Sequence, residues 1–231
     1  MAGAGDPADV ARGGTLVIRV LVADDQERVR RNLRVILDAQ RDIEVVAEAA
    51  DGRSAVDLAR RLRPDVVLAD IRMPALDGLE VTRALAGPDV REPIQVVVIT
   101  TFDLDSYVYS ALRNGACGFL LKRSGPALLV EAVRAATSGE ALISPSVTVR
   151  LLRHLAAAPP VPEHAMAEPL TERELDITRL VAQGLTNAEI GAALFISAGT
   201  AKTHVASVQR KLRVRNRVGI ALWARDNGLT A

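Results

Sequence analysis

The chain has 231 residues, 49% apolar and 25% charged, with a net charge of +1 and one cysteine, Cys117. This is a globular composition with room for one large or two ordinary domains; it excludes a disulfide framework and a cysteine metal cluster, and it fits a reducing compartment. The even overall charge by itself indicates neither nucleic acid nor membrane, and no apolar run approaches the roughly 20 residues needed to span a bilayer.

Residues 1–17 read as a disordered tail: small, polar and glycine-rich, with Asp6 and Asp9 early. There is no basic start followed by an apolar core, so no secretory signal is expected and the protein is read as cytoplasmic. From Ile18 onward, short apolar runs alternate with amphipathic stretches. Ile18–Ala23, Ile43–Ala47, Val66–Ala69, Ile94–Ile99 and Gly118–Leu121 read as strands. Helical patterns lie near Glu27–Leu37, Arg53–Leu62, Leu79–Leu85, Leu104–Arg113 and Pro126–Ala136. Five βα units in this length predict an α/β domain over residues 18–139, doubly wound around a five-stranded parallel sheet.

The sharpest signal is the run Val66-Val67-Leu68-Ala69, which stops at Asp70 and is followed by Pro74 and Gly78. An unbroken apolar run of that length reads as a strand buried on both faces, and the carboxyl end of such a strand is where ligands collect in open α/β sheets. Asp24 and Asp25 close the first strand, Thr100 the fourth and Lys122 the fifth, so the pattern brings all of them to one edge. Taken singly, each has an ordinary explanation: an Asp pair as a helix cap, Thr100 as a strand end, Lys122 as a solvated charge. Lys122 is nevertheless the only lysine before Lys202, in a stretch whose other cations are arginines, and the two are not interchangeable around a phosphoryl group. Three crowded carboxylates call for a cation, and hard oxygen ligands suit Mg²⁺. The set reads as a phosphoryl-transfer site with Asp70 as nucleophile.

Val20–Gln26, Asp70-Ile71-Arg72-Met73-Pro74 with Asp77-Gly78, Val98–Asp103 and Gly115–Lys122 together resemble the receiver domain of two-component response regulators, over roughly Ile18 to Ser138. The resemblance implies that Asp70 accepts a phosphoryl group from a sensor histidine kinase. It implies that Asp24, Asp25 and Asp70 hold Mg²⁺ with the backbone carbonyl of Arg72, and that Thr100 and Phe119 form a switch pair beside Lys122. Arg123 departs from the residue common after that lysine.

Residues 140–168 read as a linker, helical near Ser146–Leu155 and then proline-containing, with Pro159, Pro160 and Pro162. Residues 169–231 follow as an all-helical unit. Thr171-Glu172-Arg173-Glu174 and Thr186-Asn187-Ala188-Glu189 are capping boxes, with Leu170/Leu175 and Leu185/Ile190 as hydrophobic staples. A third helix begins after Ser197 and runs to about Leu212; only a few residues separate it from the second, the spacing of a helix-turn-helix. A fourth lies near Arg217–Asp226. No acidic residue occurs from Ile190 to Arg225, and residues 168–231 carry nine basic and six acidic residues against 20 and 22 in the remainder. The whole-chain charge hides that asymmetry, which favours a nucleic-acid role for the C-terminal unit.

Leu170–Glu174, Gly184–Ile190, Ile196-Ser197 and Thr200–Val205 resemble the LuxR-type (NarL/FixJ-like) DNA-binding domain. The resemblance implies that Lys202 and its neighbours enter the major groove of promoter DNA, with Ser197, Thr200, Thr203, His204 and Lys211 as further contacts. It also implies that the fourth helix, through Val218, Leu222 and Trp223, pairs two copies into a homodimer when phosphorylated. Gly199 and Ala201 depart from the family pattern in the third helix. The expectation is a DNA-binding response regulator, not an enzyme beyond its own Mg²⁺-dependent phosphorylation and dephosphorylation. The alternative is a transcription regulator with the same DNA-binding unit that works without phosphorylation. A haloacid-dehalogenase phosphatase needs a second acidic residue two positions after the aspartate, where this chain has Arg72.

Overall fold

The computed structural model describes residues 17–101, 105–144 and 168–229. The helical reading of Ser146–Leu155, the proline-containing linker, the N-terminal tail and Phe102–Leu104 lie outside these residues.

In the N-terminal unit, strands β1 (Ile18–Ala23), β2 (Ile43–Ala49), β3 (Val66–Ala69), β4 (Gln95–Thr100) and β5 (Gly118–Leu121) alternate with helices α1 (Glu27–Asp38), α2 (Gly52–Leu62), α3 (Gly78–Ala86), α4 (Asp105–Arg113) and α5 (Pro126–Ser138). All pairings are parallel, in the order β2-β1-β3-β4-β5-β6. The sixth strand, β6 (Leu142–Ile143), corrects the expected count of five and moves two residues of the expected linker into the sheet. It pairs Leu142 with Gly118 and Ile143 with Phe119. Two residues carry no detectable alternation; the strand exists because β5 offers an open edge and the chain returns past it after α5.

Side-chain alternation along the strands separates two cores. Leu21, Ala23, Val67, Ala69, Val96, Val98, Phe119 and Leu121 face α2, α3 and α4, packing on Val56, Ala59, Val81, Leu85, Val108 and Ala111. Val20, Val22, Val66, Leu68, Val97, Ile99 and Leu120 face the other way, onto Leu37 of α1 and Leu129, Val130 and Val133 of α5. Both faces of β3 are therefore covered, which is why all four of its residues are apolar and buried. The strand order reverses direction between β1 and β3, so a crevice opens at their carboxyl ends.

The C-terminal unit consists of α6 (Glu172–Ala182), α7 (Asn187–Leu194), α8 (Ala198–Leu212) and α9 (Arg217–Asp226) around Ile177, Val181, Ile190, Val205, Val208, Leu212 and Ile220. Both capping boxes form: Thr171 with Glu174 starts α6, and Thr186 with Glu189 starts α7. Ser197 caps α8 by accepting from the Thr200 N–H at 3.0 Å. Ala201 is fully buried in this core, so the small side chain is what lets α8 lie close against its neighbours. Among the described residues, no helix is long and apolar enough to cross a membrane.

Candidate functional site

The end of β1 delivers Asp24 and Asp25, the end of β3 delivers Asp70, and the end of β5 delivers Lys122. Asp24 and Asp70 are buried, at 1% and 4% exposure, whereas Asp25 is open to solvent. The three carboxylates lie within 4.8 Å of one another. The Lys122 ammonium bridges the two buried ones, 2.6 Å from Asp24 Oδ2 and 2.9 Å from Asp70 Oδ2. Asp70 Oδ1 accepts from the Ile71 N–H at 2.8 Å, and Asp24 Oδ1 from the Gln26 N–H at 3.0 Å.

The electrostatics follow from this packing. Burial raises the Asp70 carboxyl above its ordinary value; Lys122 pulls it down without overcoming that, and the Asp24 charge adds to the rise. Burial alone would lower Lys122, but its bonds to Asp24 and Asp70 outweigh burial and hold it firmly charged. Three converging carboxylates, two of them buried, are hard oxygen donors that fit a small divalent cation: Asp25 is open to solvent, where a cation could keep its waters.

The turn above Asp70 is fixed sterically. A Cβ on Gly78 would run into the backbone carbonyl oxygen of Asp70, so only glycine lets the start of α3 close over that residue. Asp77 and Glu80 lock the same turn with a reciprocal capping box at 2.8 and 2.9 Å. Beside Asp70 lies an open cleft of about 370 Å³ lined by Asp25, Ile71, Arg72, Met73, Pro74, Asp77 and Tyr107. Thr100 and Phe119 are fully buried on the adjacent strands β4 and β5, where Phe119 pairs with Val98 and Thr100 with Leu121. The Thr100 carbonyl accepts from the Lys122 N–H at 2.8 Å, tying the two strand ends together.

The second set of expected residues lies on α8. Ser197, Thr200, Lys202 and Thr203 are exposed, and His204 is half-buried. Lys202 Nζ, however, donates to the carbonyl of Thr137 at the end of α5, 2.8 Å away. Lys211, expected to meet a phosphate, is engaged within its own unit. Its ammonium lies 2.8 Å from Glu174 Oε2, its side chain is only 13% exposed, and it also donates to the Pro169 carbonyl. The Glu174 carboxyl is pushed up by burial but pulled down further by Lys211, the Thr171 N–H and the Ser207 hydroxyl, to about 2. Lys211 is thus a structural cation that joins α8 to the start of α6. On α9, Leu222 is half-buried, Trp223 packs against the core of its own unit, and Val218 packs against the core of the N-terminal unit.

That last contact belongs to an interface between the two units that sequence reasoning missed. Asn216, 5% exposed, donates from Nδ2 to the carbonyls of Leu112 and Ala116, both at 2.9 Å, while its Oδ1 caps α9 through the Gly219 N–H at 2.8 Å. Glu140, Asn187 and Arg217 form a second group of contacts near the end of α5. The one local signal that could find it is a cap-type residue, Asn216, directly before Arg217; nothing in the sequence points to its partners.

Residues 20–134 match the family described as the response regulator receiver domain, and residues 168–224 match the family of bacterial regulatory proteins, luxR family. The chain is 42% identical over 214 residues to the transcriptional regulatory protein LiaR of Bacillus subtilis, covering 92% of this chain and 99% of that protein. It is 40% identical to the nitrate/nitrite response regulator protein NarP of Escherichia coli, covering 88% of this chain and 93% of that one. Among solved structures, the response regulator ChrA of a heme-sensing two-component system is 38% identical, covering 93% of this chain and 99% of that one with a TM-score of 0.51. Two family matches in the expected order, together with relatives that run the length of both units, establish that the chain belongs to the LuxR family of two-component response regulators, transcription regulators built from a receiver and a helix-turn-helix DNA-binding domain.

Proposed function

We propose that this regulator accepts a phosphoryl group on Asp70 from a sensor histidine kinase, and that the change this makes at the receiver's sheet edge frees the DNA-binding unit. The observation that carries the reading is the Lys122 ammonium shared between Asp24 and Asp70. In the transfer, an Asp70 oxygen forms the new P–O bond as the P–N bond of the kinase phosphohistidine breaks. Asp24, Asp25 and Asp70, with the Arg72 carbonyl, would hold Mg²⁺, which when bound offsets the charge of the transferring group. Lys122 then has a phosphoryl oxygen to pair with in place of a carboxylate, and the Thr100 hydroxyl supplies a second donor from the adjacent strand end.

The route to the DNA-binding unit runs through α4. Both carbonyls held by Asn216 belong to the end of α4 and the turn into β5, the strand that carries Phe119 and Lys122. Hydrogen bonds fail beyond about 3.5 Å, so a shift of about one ångström in the end of α4 and the turn after it releases both. Release frees the Lys202 ammonium from the Thr137 carbonyl for DNA and uncovers Val218 for pairing through α9, on half-sites about one helical turn apart.

The test is phosphorylation by a small phosphodonor in Mg²⁺. Asp70→Asn should take no label, chelation of Mg²⁺ should do the same to the unaltered protein, and labelling should raise affinity for promoter DNA. Undiminished labelling of the Asn variant would place the acceptor elsewhere. DNA binding that ignores phosphorylation would favour the phosphorylation-independent alternative.

A further inference from the structure

The second group of interdomain contacts centres on one carboxylate. Glu140, just past α5, accepts from the backbone N–H of Asn187 at 2.7 Å through Oε1 and pairs through Oε2 with the Arg217 guanidinium. Asn187 is the first residue of α7, where the helix dipole and a free N–H favour an anion. Arg217, 8% exposed, is fixed in place by donating also to the carbonyl of Leu185. Glu189, the other nearby carboxylate, is already committed to Thr186 in the capping box. An N–H and a guanidinium from two helices thus converge on an anion that comes from the other unit.

The rest of the contact has the same character. Helix α5 ends in carbonyls without helical partners, and Lys202 Nζ and Asn187 Nδ2 satisfy two of them, on Thr137 and Ser138 at 2.8 and 3.0 Å. The receiver therefore offers the DNA-binding unit a carboxylate and the negative end of a helix, the charge pattern of a nucleic-acid backbone. The fit is incomplete. Asn187 is 6% exposed, and its Oδ1 is buried with no hydrogen-bond partner among the described residues. A contact that strands a buried acceptor is poised to be exchanged for another.

We propose that the Asn187 N–H and the Arg217 guanidinium form a binding site for a DNA backbone phosphate, and that Glu140 occupies it as a stand-in while the two units are docked. DNA and the receiver then compete for one site. Removing the stand-in charge raises DNA affinity without any phosphorylation. The proposal rests on the DNA-binding reading of α8 but assigns the phosphate to residues of α7 and α9.

The test uses the full, unphosphorylated chain and fluorescence anisotropy with duplex DNA of arbitrary sequence over a range of salt. Glu140→Gln keeps the shape and removes the charge; affinity should rise roughly tenfold, the scale of one charge-assisted bond. In that background Arg217→Gln should lower affinity and flatten the plot of log affinity against log salt by about one unit, and Arg217→Lys should restore the slope. An unchanged affinity for Glu140→Gln overturns the proposal. So does an unchanged slope for Arg217→Gln when Lys202→Ala, measured alongside, weakens binding; in that case the reading of α8 stands. If neither Arg217→Gln nor Lys202→Ala affects binding, both fall. Should Arg217→Gln lose its helical circular dichroism, the slope for Glu140→Gln decides alone. It should exceed that of the unaltered protein by about one unit, and parallel lines overturn the site.

Discussion

Lys211→Met separates a structural cation from a DNA contact. The side chain is 13% exposed, and its ammonium is 2.8 Å from Glu174, a carboxylate that also accepts from the Thr171 N–H at 2.9 Å and the Ser207 hydroxyl at 2.9 Å. Methionine keeps the stem and removes the charge, so Glu174 stays buried with three neutral donors, the Thr171 N–H and hydroxyl and the Ser207 hydroxyl, and no counter-ion. Lowering a carboxyl from an ordinary 4.5 to about 2 corresponds to at most about 3 kcal/mol. The pair sits near the domain edge, so solvent screening reduces this to about 2 kcal/mol for the lost ammonium. For a unit of this size the midpoint of thermal unfolding should fall by roughly 8–16 °C. The sign with pH is fixed by the direction of the shift. The carboxyl is lower when folded, so its contribution is complete above about 4.5 and is lost as pH falls towards about 2. The gap in stability between Lys211→Met and the unaltered protein, followed by circular dichroism melts of the C-terminal transition, should therefore be full at neutral pH and shrink in acid. The salt slope of DNA binding should not change. A variant that melts normally but loses about one unit of salt slope would return Lys211 to the DNA backbone and refute the structural assignment.

Three other outcomes follow from the site and the interface. Lys122→Arg should still take label at Asp70 but lose most of the phosphorylation-dependent gain in DNA affinity, because a planar fork cannot bridge two carboxylates 2.6 and 2.9 Å from a single nitrogen; Thr100→Ala should behave alike, and full coupling in either, measured by anisotropy after labelling, would discredit the switch. Asn216→Asp should keep the cap on Gly219 but set a carboxylate against the carbonyls of Leu112 and Ala116, opening the docked units at little cost to α9; an unchanged radius of gyration in solution scattering would count against that interface. Gly78→Ala forces the start of α3 away from Asp70, so both receiver stability and labelling rate should drop; an Ala variant that labels normally would show the turn to be looser than its packing implies.

The receiver's site was legible because its parts are strand ends. A buried parallel strand must be apolar throughout, so Val66–Ala69 announces both itself and the residue at which it stops, and Asp70 needs no neighbour in sequence to be noticed. The capping boxes at Thr171 and Thr186 were legible for a similar reason: donor and acceptor lie three residues apart, within one reading window. The ion pair of Lys211 was not legible because its partner, Glu174, lies 37 positions away. The interdomain contacts are harder still, since Asn216 and its two carbonyl partners are 104 and 100 positions apart. A backbone carbonyl carries no residue identity, so even a perfect reading of side-chain types could not have found it. Glu140 shows the limit most clearly. In sequence it is one acidic residue past a helix-ending glycine, with nothing to distinguish it from a solvated charge. Its meaning comes from the path by which α5, β6 and the unit beyond them return, which sets its carboxylate between an N–H of α7 and a guanidinium of α9. Residues that perform a unit's own chemistry are constrained locally and leave a pattern; residues that hold two units together are constrained only by the surface they meet.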